Sequence, residues 1–151
     1  MTHSITATWT DGLHFDVLQQ GTLIELDSVS DGTPRGVSPK QLLLTALAGC
    51  TGMDVASLLP KLRVPFTSCR VHVDGTLTED HPKIYKTIAV TYDVGTTEAY
   101  RPLVEKAVQM SVEKYCGVSA MLAASADITH TIVLSGTDQM VGAAGGATTN
   151  H

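Results

Sequence analysis

Aromatic residues and positive charge are both scarce in this chain of 151 residues. It has one Trp, two Phe and four Tyr, and its formal net charge is −5. Proteins that bind nucleic acids usually neutralise phosphates with clustered Lys and Arg, and many stack bases on aromatic rings. The composition therefore predicts that nucleic acid is not a partner.

Leader, metal and phosphate motifs are also missing from the sequence. The first four residues, Met-Thr-His-Ser, lead directly into a strand pattern rather than into a basic and then apolar signal segment. There is no His-x-x-x-His or Cys-x-x-Cys spacing, no phosphate-binding glycine loop and no Gly-x-Ser-x-Gly. We expect a cytoplasmic protein, and these spacings do not predict a zinc site. Cysteines stay reduced in that compartment.

Hydrophobic content of 43% predicts one compact domain, which we assign to residues 1–135. Apolar alternation and turn residues predict an α+β fold with the order βββαββααβ and an antiparallel or mixed sheet. The predicted strands are 5–9, 13–17, 22–26, 67–77, 84–94 and 128–134, and the predicted helices are 39–60, 97–115 and 118–124. Residues 136–151 are rich in Gly, Ala, Thr and Asn and predict a disordered tail.

The first predicted helix is apolar on every face. Its large apolar residues are Leu42, Leu43, Leu44, Leu47, Met53, Val55, Leu58 and Leu59. Polar residues interrupt it and the rest of the chain is sheet-like, so a membrane span is the less favoured interpretation. A helix that is apolar all round is expected to be buried, and we expect it to pack against a symmetric copy in a homodimer.

Two of the three cysteines lie in helical patterns. Cys50 stands between Gly49 and Thr51-Gly52. Glycine costs about 1 kcal/mol inside a helix, so this pair suggests space kept for a ligand or for another backbone. Cys116 ends a helical segment, and Cys69 lies in a strand pattern with no partner motif. A buried cysteine is often simply a small core residue, and we interpret Cys69 as a structural residue of this kind.

Three short segments, two of them around Cys50 and Cys116, have a distinctive sequence. They are Ser-Pro-Lys-Gln-Leu-Leu-Leu at 38–44 with Ala-Gly-Cys at 48–50, His-Pro-Lys at 81–83, and Glu-Lys-Tyr-Cys at 113–116. With these segments the chain resembles the OsmC/Ohr family of osmotically induced and organic-hydroperoxide-detoxifying proteins, especially its YhfA-like branch, over about residues 38–133. The resemblance implies an OsmC-like fold in an intertwined homodimer with buried central helices.

The resemblance also implies a cysteine-based peroxidase that reduces organic hydroperoxides or hydrogen peroxide. Cys50 would be oxidised to a sulfenic acid, and Cys116 would resolve it as a Cys50–Cys116 disulfide. A dithiol reductant, lipoyl-protein or thioredoxin-like, would reopen that disulfide. No metal, flavin or haem cofactor is implied, because the cysteines carry out the redox chemistry. The implied catalytic residues are Cys50, Cys116 and Arg35, and the implied substrate-binding residues are Gln41, Leu47 and Met53.

The sequence departs from the family pattern at two places. The glutamate that holds the arginine in relatives is replaced by Lys40 or Gln41, and Gly117 stands where peroxidase branches usually have proline. Asp54, one turn after Cys50, would raise the pKa of that thiol if the carboxylate faced the sulfur. These departures favour an alternative, a weakly catalytic or non-catalytic protein that binds a small apolar or thiol-reactive ligand.

Overall fold

A computed structural model describes residues 1–28 and 32–136 of the chain. They form two compact units, an N-terminal unit (Met1–Leu43) and a C-terminal unit that begins at Leu44. The assignment of residues 1–135 to a single domain stays a prediction. The predicted disordered tail lies outside the described residues, except for Gly136.

The N-terminal unit contains a three-stranded antiparallel sheet. Its strands are β1 (Ala7–Asp11), β2 (His14–Gln19) and β3 (Thr22–Leu26), in the spatial order β1-β2-β3. Gly12 and Gly21 stand in the two connections with φ of +51° and +80°, which glycine adopts without the steric penalty that a Cβ would bring. The predicted hairpin is therefore confirmed, with both of its strands starting and ending slightly later than expected.

The remaining elements are α1 (Pro39–Lys61), β4 (Cys69–Leu77), β5 (Tyr85–Val94), α2 (Arg101–Met110), α3 (Gly117–Ala123) and β6 (Asp127–Leu134). The second sheet has the order β4-β5-β6, in which β4 and β5 are antiparallel and β5 and β6 are parallel. The sheet is thus mixed. The predicted α+β class and the element order are confirmed.

The end of α1 lies one residue beyond Pro60, where the sequence predicts the helix to stop. A proline lacks the N–H that continues a helix, but in the last turn this removes only one bond. Arg63 then adopts a left-handed φ of +58°, and the Val64 N–H donates to the Leu59 carbonyl at 2.9 Å. This left-handed residue ends the helix in the way that glycine commonly does.

The predicted helix 97–115 is divided into three parts in the structure. A 3-10 turn (Glu98–Tyr100) leads into α2, and a π-helical turn (Ser111–Tyr115) follows it. The N–H of Cys116 donates to the Ser111 carbonyl at 2.8 Å, which closes this wide turn. Turns of this kind occur frequently at functional sites because they re-aim the residues that follow them.

Within one chain, α1 is buried on one side only. The buried positions recur at helical spacing and are Leu47, Thr51, Val55, Leu58 and Leu59. The four apolar residues among them belong to a hydrophobic core that β5 and α2 complete with residues such as Tyr92 and Val104. Met53 points away from this core and is 76% exposed. Burial on every side is therefore not achieved within a single chain. By length and hydropathy alone α1 could cross a membrane, as many core helices could.

Candidate functional site

Cys50, Asp54 and Cys116 meet in the C-terminal unit. The sulfurs of Cys50 and Cys116 and one carboxylate oxygen of Asp54 all lie within 4.8 Å of one another. Cys50 and Asp54 are one helical turn apart on α1 and therefore share a face. Cys116 lies 66 positions further along the chain, directly after the π-helical turn. The structure thus brings together the two cysteines that the sequence selected, and adds a carboxylate.

Two hydrogen bonds hold this cluster in place. Ser111, which is fully buried, donates its hydroxyl to Asp54 Oδ2 at 2.8 Å and so ties α1 to the π-helical turn. Cys116 caps the start of α3, and its Sγ accepts the Ser119 N–H at 3.3 Å. Cys116 is only 3% exposed, whereas Cys50 and Asp54 are half-buried. Access from solvent is therefore through Cys50 and Asp54.

The surroundings of Cys116 keep its thiol protonated. Burial, followed by the hydrogen bond with Cys50, raises the pKa of Cys116 to about 11. The Ser119 N–H works in the opposite direction, while the charges of Cys50 and Asp54 add to the increase. At neutral pH Cys116 is thus a thiol that donates its S–H to the Cys50 sulfur.

A fully buried tyrosine forms one wall beside the cluster. Burial raises the pKa of Tyr92 to about 12, while a hydrogen bond with Thr51, the neighbour of Cys50, lowers it. The Tyr92 hydroxyl also lies 3.1 Å from His130 Nδ1, and the two rings stack with centroids 5.9 Å apart. Tyr92 is therefore a neutral hydrogen-bonding group at this site.

Ser111 and Tyr92 are not predicted from the sequence as site residues, and the sequence predicts Asp54 only as unfavourable for Cys50. Ser111 carried a usable signal, because it is a polar residue on the otherwise apolar face of α2 and the turn after it. Asp54 lies four residues after Cys50, the spacing that places both on one helix face. Nothing in the local sequence distinguishes Tyr92 from other strand residues.

Arg35 is held by two aspartates within the N-terminal unit. Its guanidinium binds Asp11 with two hydrogen bonds, NH1 to Oδ2 at 3.2 Å and NH2 to Oδ1 at 2.5 Å. Its backbone N–H donates to Asp27 Oδ2 at 2.9 Å, which is the main reason why the pKa of Asp27 is lowered. The carboxylates that orient this arginine therefore come from β1 and from the residue after β3. From the sequence, a carboxylate for this arginine is expected only near the start of α1.

The predicted substrate-binding residues lie in different environments. Gln41 is exposed near the start of α1, and Leu47 is fully buried in the core. Met53 lines a groove of about 480 Å³ on the outer side of α1. The other residues along this groove are small or apolar for the most part: Thr45, Ala48, Gly49, Gly52, Ala56, Cys69 and Val71. Substrate binding by Gln41, Leu47 and Met53 stays a prediction.

Comparison with known proteins identifies the family. The sequence model described as OsmC-like protein matches residues 31–131. This chain belongs to the OsmC-like family. Protein YhfA of Escherichia coli (strain K12) is 34% identical over 125 residues, which cover 82% of this chain and 91% of YhfA. The predicted OsmC/Ohr membership, with its likeness to YhfA, is confirmed.

Solved structures of OsmC-like proteins share the fold. A hypothetical protein from Aquifex aeolicus VF5 matches with a TM-score of 0.80 and 28% identity, over 90% of this chain and 98% of that one. The organic hydroperoxide resistance protein OhrB of Bacillus subtilis matches with a TM-score of 0.61 and 19% identity, over 87% and 98%. At 19% identity, the second likeness extends to the fold alone.

Proposed function

We propose that this OsmC-like protein is a thiol-dependent peroxidase that reduces organic hydroperoxides or hydrogen peroxide. Membership in the OsmC-like family, together with the resemblance of the segments around both cysteines to OsmC/Ohr proteins, supports a redox role in general. The observation that carries the finer proposal is the proximity of Cys50 and Cys116, whose sulfurs lie within 4.8 Å although 66 positions separate them.

The first step uses Cys50 because it is the more accessible of the two thiols. The Cys50 thiolate attacks one oxygen of the peroxide, the O–O bond breaks, and the other oxygen leaves as an alcohol or water after taking up a proton. Cys50 is thereby oxidised to a sulfenic acid. Met53, Leu47 and Gln41 are assigned to substrate binding, and Arg35 to stabilising the thiolate.

The second step uses Cys116, which is buried and protonated. Its sulfur attacks the Cys50 sulfenic acid, an S–S bond forms, and the hydroxyl leaves as water with the proton of the Cys116 thiol. Asp54 lies beside both sulfurs, and Ser111 holds it there. A dithiol such as a lipoyl-protein or a thioredoxin-like protein then reduces the disulfide by exchange.

We also propose that the protein acts as a cytoplasmic homodimer. The outer side of α1, with Met53 at 76% exposure, supports this assembly because one chain leaves it uncovered. A second copy would bury that surface. Sedimentation should therefore give twice the chain mass of 16.0 kDa at micromolar concentration. A folded monomer under those conditions would contradict the homodimer.

The decisive experiment for the peroxidase is peroxide consumption with a dithiol donor. We expect Cys50→Ser to reduce turnover to the uncatalysed rate, and Cys69→Ser, the matched control, to leave turnover unchanged. Equal turnover by Cys50→Ser and the wild-type protein would remove the peroxidase proposal.

A second candidate function is binding of a small apolar or thiol-reactive ligand without turnover. The groove beside Met53 favours an apolar ligand, since its walls are mainly apolar. The Cys69 thiol in this groove does not favour a thiol-reactive ligand, because burial and the charge of Asp93 raise its pKa and make it a poor nucleophile. An apolar fluorescent dye that binds equally well before and after peroxide treatment, in a protein without turnover, would favour this candidate.

A further inference from the structure

The carboxylate of Asp54 has no evident benefit for a nucleophilic cysteine. A negative charge beside a thiol opposes formation of the thiolate. Here that charge lies beside two thiols, and a fully buried serine holds it in position. A cation placed among the three groups would remove the repulsion and would favour deprotonation of both thiols.

We propose that Cys50, Asp54 and Cys116 form a binding site for a thiophilic divalent cation such as Zn²⁺ when both thiols are reduced. Two sulfurs and a carboxylate oxygen are ligands that zinc takes readily. This site is distinct from the oxidation chemistry proposed above, because it requires neither peroxide nor a disulfide.

The geometry of the cluster fits such an ion. Zinc binds sulfur at about 2.3 Å and oxygen at about 2.0–2.2 Å, so tetrahedral ligands on one ion lie roughly 3.6–3.8 Å apart. The three donor atoms already lie within 4.8 Å of one another. Closing around an ion therefore requires movements of no more than about one ångström, which side-chain rotation supplies.

The groups around the ligands form a suitable outer layer. Ser111 donates to one oxygen of Asp54 and fixes the orientation of the carboxylate, as outer partners of metal ligands do. The Ser119 N–H donates to Cys116 Sγ, and an N–H directed at sulfur stabilises the thiolate form that a metal needs. Three protein ligands leave a fourth position for water or another small ligand, so that fourth ligand would be exchangeable.

Cation binding and oxidation oppose each other at this site. A Cys50–Cys116 disulfide would consume both sulfur ligands, and bound zinc would withdraw electron density from the Cys50 sulfur and so slow its attack on peroxide. This consequence rests on the proposed function, whereas zinc binding itself does not. The two proposals can therefore fail separately.

The test is zinc binding to the reduced full-length protein in competition with a chromophoric chelator, supported by spectra of the Co²⁺ form. We expect one zinc per chain and a thiolate-to-cobalt charge-transfer band. Cys50→Ser and Cys116→Ser should each abolish the band and weaken zinc binding at least about tenfold. Asp54→Asn and Ser111→Ala should each weaken zinc binding about 10–100-fold.

Two matched controls separate this site from other ligands in the chain. Cys69→Ser removes a thiol outside the cluster, and His14→Asn removes the histidine of a second group, His14, Asp16 and Glu25, in the N-terminal unit. Neither should change zinc stoichiometry or affinity. Wild-type binding that survives in Cys50→Ser, Cys116→Ser or Asp54→Asn would overturn the proposal, and so would a wild-type protein that takes up no zinc.

A measurement on the wild-type protein covers the case in which a variant fails to fold. Zinc should protect Cys50 and Cys116 from alkylation and leave Cys69 as reactive as before. Equal protection of all three thiols, or protection of none, would overturn the site. If the protein binds zinc but does not consume peroxide, the zinc site is supported and the peroxidase proposal is wrong. If it consumes peroxide but binds no zinc, the peroxidase proposal is supported and the zinc site is wrong.

Discussion

Cys116 and Cys69 are both withdrawn from solvent, and in both cases burial is the main cause of a raised pKa. They differ in their neighbours. Cys116 is hydrogen-bonded with Cys50 and receives the Ser119 N–H, and Asp54 lies close by. Cys69 begins β4, is paired with Val94 in the sheet, and lines the outer groove near Met53.

This difference shows that neither burial nor pKa identifies a redox-active cysteine by itself. A buried thiol with a high pKa is inert towards solvent reagents, but it can still resolve a sulfenic acid held against it. What distinguishes Cys116 is a second sulfur within reach. If the nearby Cys50 sulfur is what matters, Cys116 and Cys69 should respond differently to peroxide, to substitution and to pH.

The largest expected effect is on disulfide formation. Stoichiometric hydroperoxide should convert the wild-type protein to an intrachain Cys50–Cys116 disulfide and leave Cys69 free for alkylation. Cys116→Ser should form no intrachain disulfide, and Cys69→Ser should form it at the wild-type rate. Peptide mapping by mass spectrometry gives the result. Cys50 stopping at sulfinic acid in the wild-type protein, with Cys116 still alkylatable, would remove Cys116 from the resolving role.

The next effect concerns the hydrogen bond that holds Asp54 beside Cys116. Ser111→Ala removes the fully buried hydroxyl that donates to Asp54 and leaves one oxygen of this half-buried carboxylate without that partner. Loss of a hydrogen bond to a charged group costs about 1.5–3 kcal/mol of unfolding free energy. Ser125→Ala is the matched control, because Ser125 makes a long, exposed bond of 3.4 Å to Leu122; its cost should be within about 0.5 kcal/mol. Urea unfolding measures both, and equal costs would contradict the assigned role of Ser111.

A third effect is the dependence of stability on pH. The pKa of Cys116 is about 11 in the folded protein and 9.0 as its ordinary value, so the folded state binds this proton more tightly. The resulting stability is fully present below about pH 9 and is lost as pH rises towards 11, by about 1–3 kcal/mol. Chemical unfolding at pH 8 and pH 10.5 should show a smaller loss in Cys116→Ser.

Tyr92 contributes to the same trend, because its pKa is also raised, to about 12. The informative quantity is therefore the difference between the wild-type protein and Cys116→Ser, since Tyr92 is present in both. Cys69→Ser should show a smaller difference of the same sign. Identical pH dependence in the wild-type protein and Cys116→Ser would contradict the raised pKa of Cys116.

Features that local sequence encodes could be predicted, and features that distant residues create could not. The Gly12 turn, the strands and the cysteine-bearing helix follow from turn residues and apolar periodicity, which act within a few positions. The bond between Ser111 and Asp54 joins residues 57 positions apart, and the pairing of Arg35 with Asp11 spans 24. Periodicity carries no information about such partners.

Two further features depended on competition between local and tertiary effects. The pattern predicted one helix over residues 97–115, but the Ser111–Tyr115 segment widens into a π-helical turn. Helix propensity barely distinguishes these alternatives, so the surroundings decide. Likewise, the apolar residues around α1 predicted burial on every side, although one chain covers only the side that contains Leu47.

The smallest expected effect concerns Arg35 and the glutamate that relatives have near the helix start. Lys40→Glu or Gln41→Glu should raise the peroxide rate at one position but not at both, because a second carboxylate can orient the guanidinium. The gain should be no more than about threefold, the effect of half a pKa unit on a thiolate fraction. Asp11 already binds this guanidinium with two hydrogen bonds, which leaves little orientation to be gained.

Arg35→Ala provides the control for this prediction, since it should abolish any gain from either glutamate. Asp11→Asn is an additional variant, because it removes the carboxylate charge that the Arg35 guanidinium binds. The added glutamate should then raise the peroxide rate more than it does in the wild-type background. An introduced carboxylate near the thiolate opposes ionisation, so only its pairing with Arg35 can raise the rate. Stopped-flow oxidation of the reduced protein measures each variant. If Arg35→Ala reacts with peroxide as fast as the wild-type protein, the arginine has no part in activation, and Cys50 depends on the groups of its own cluster.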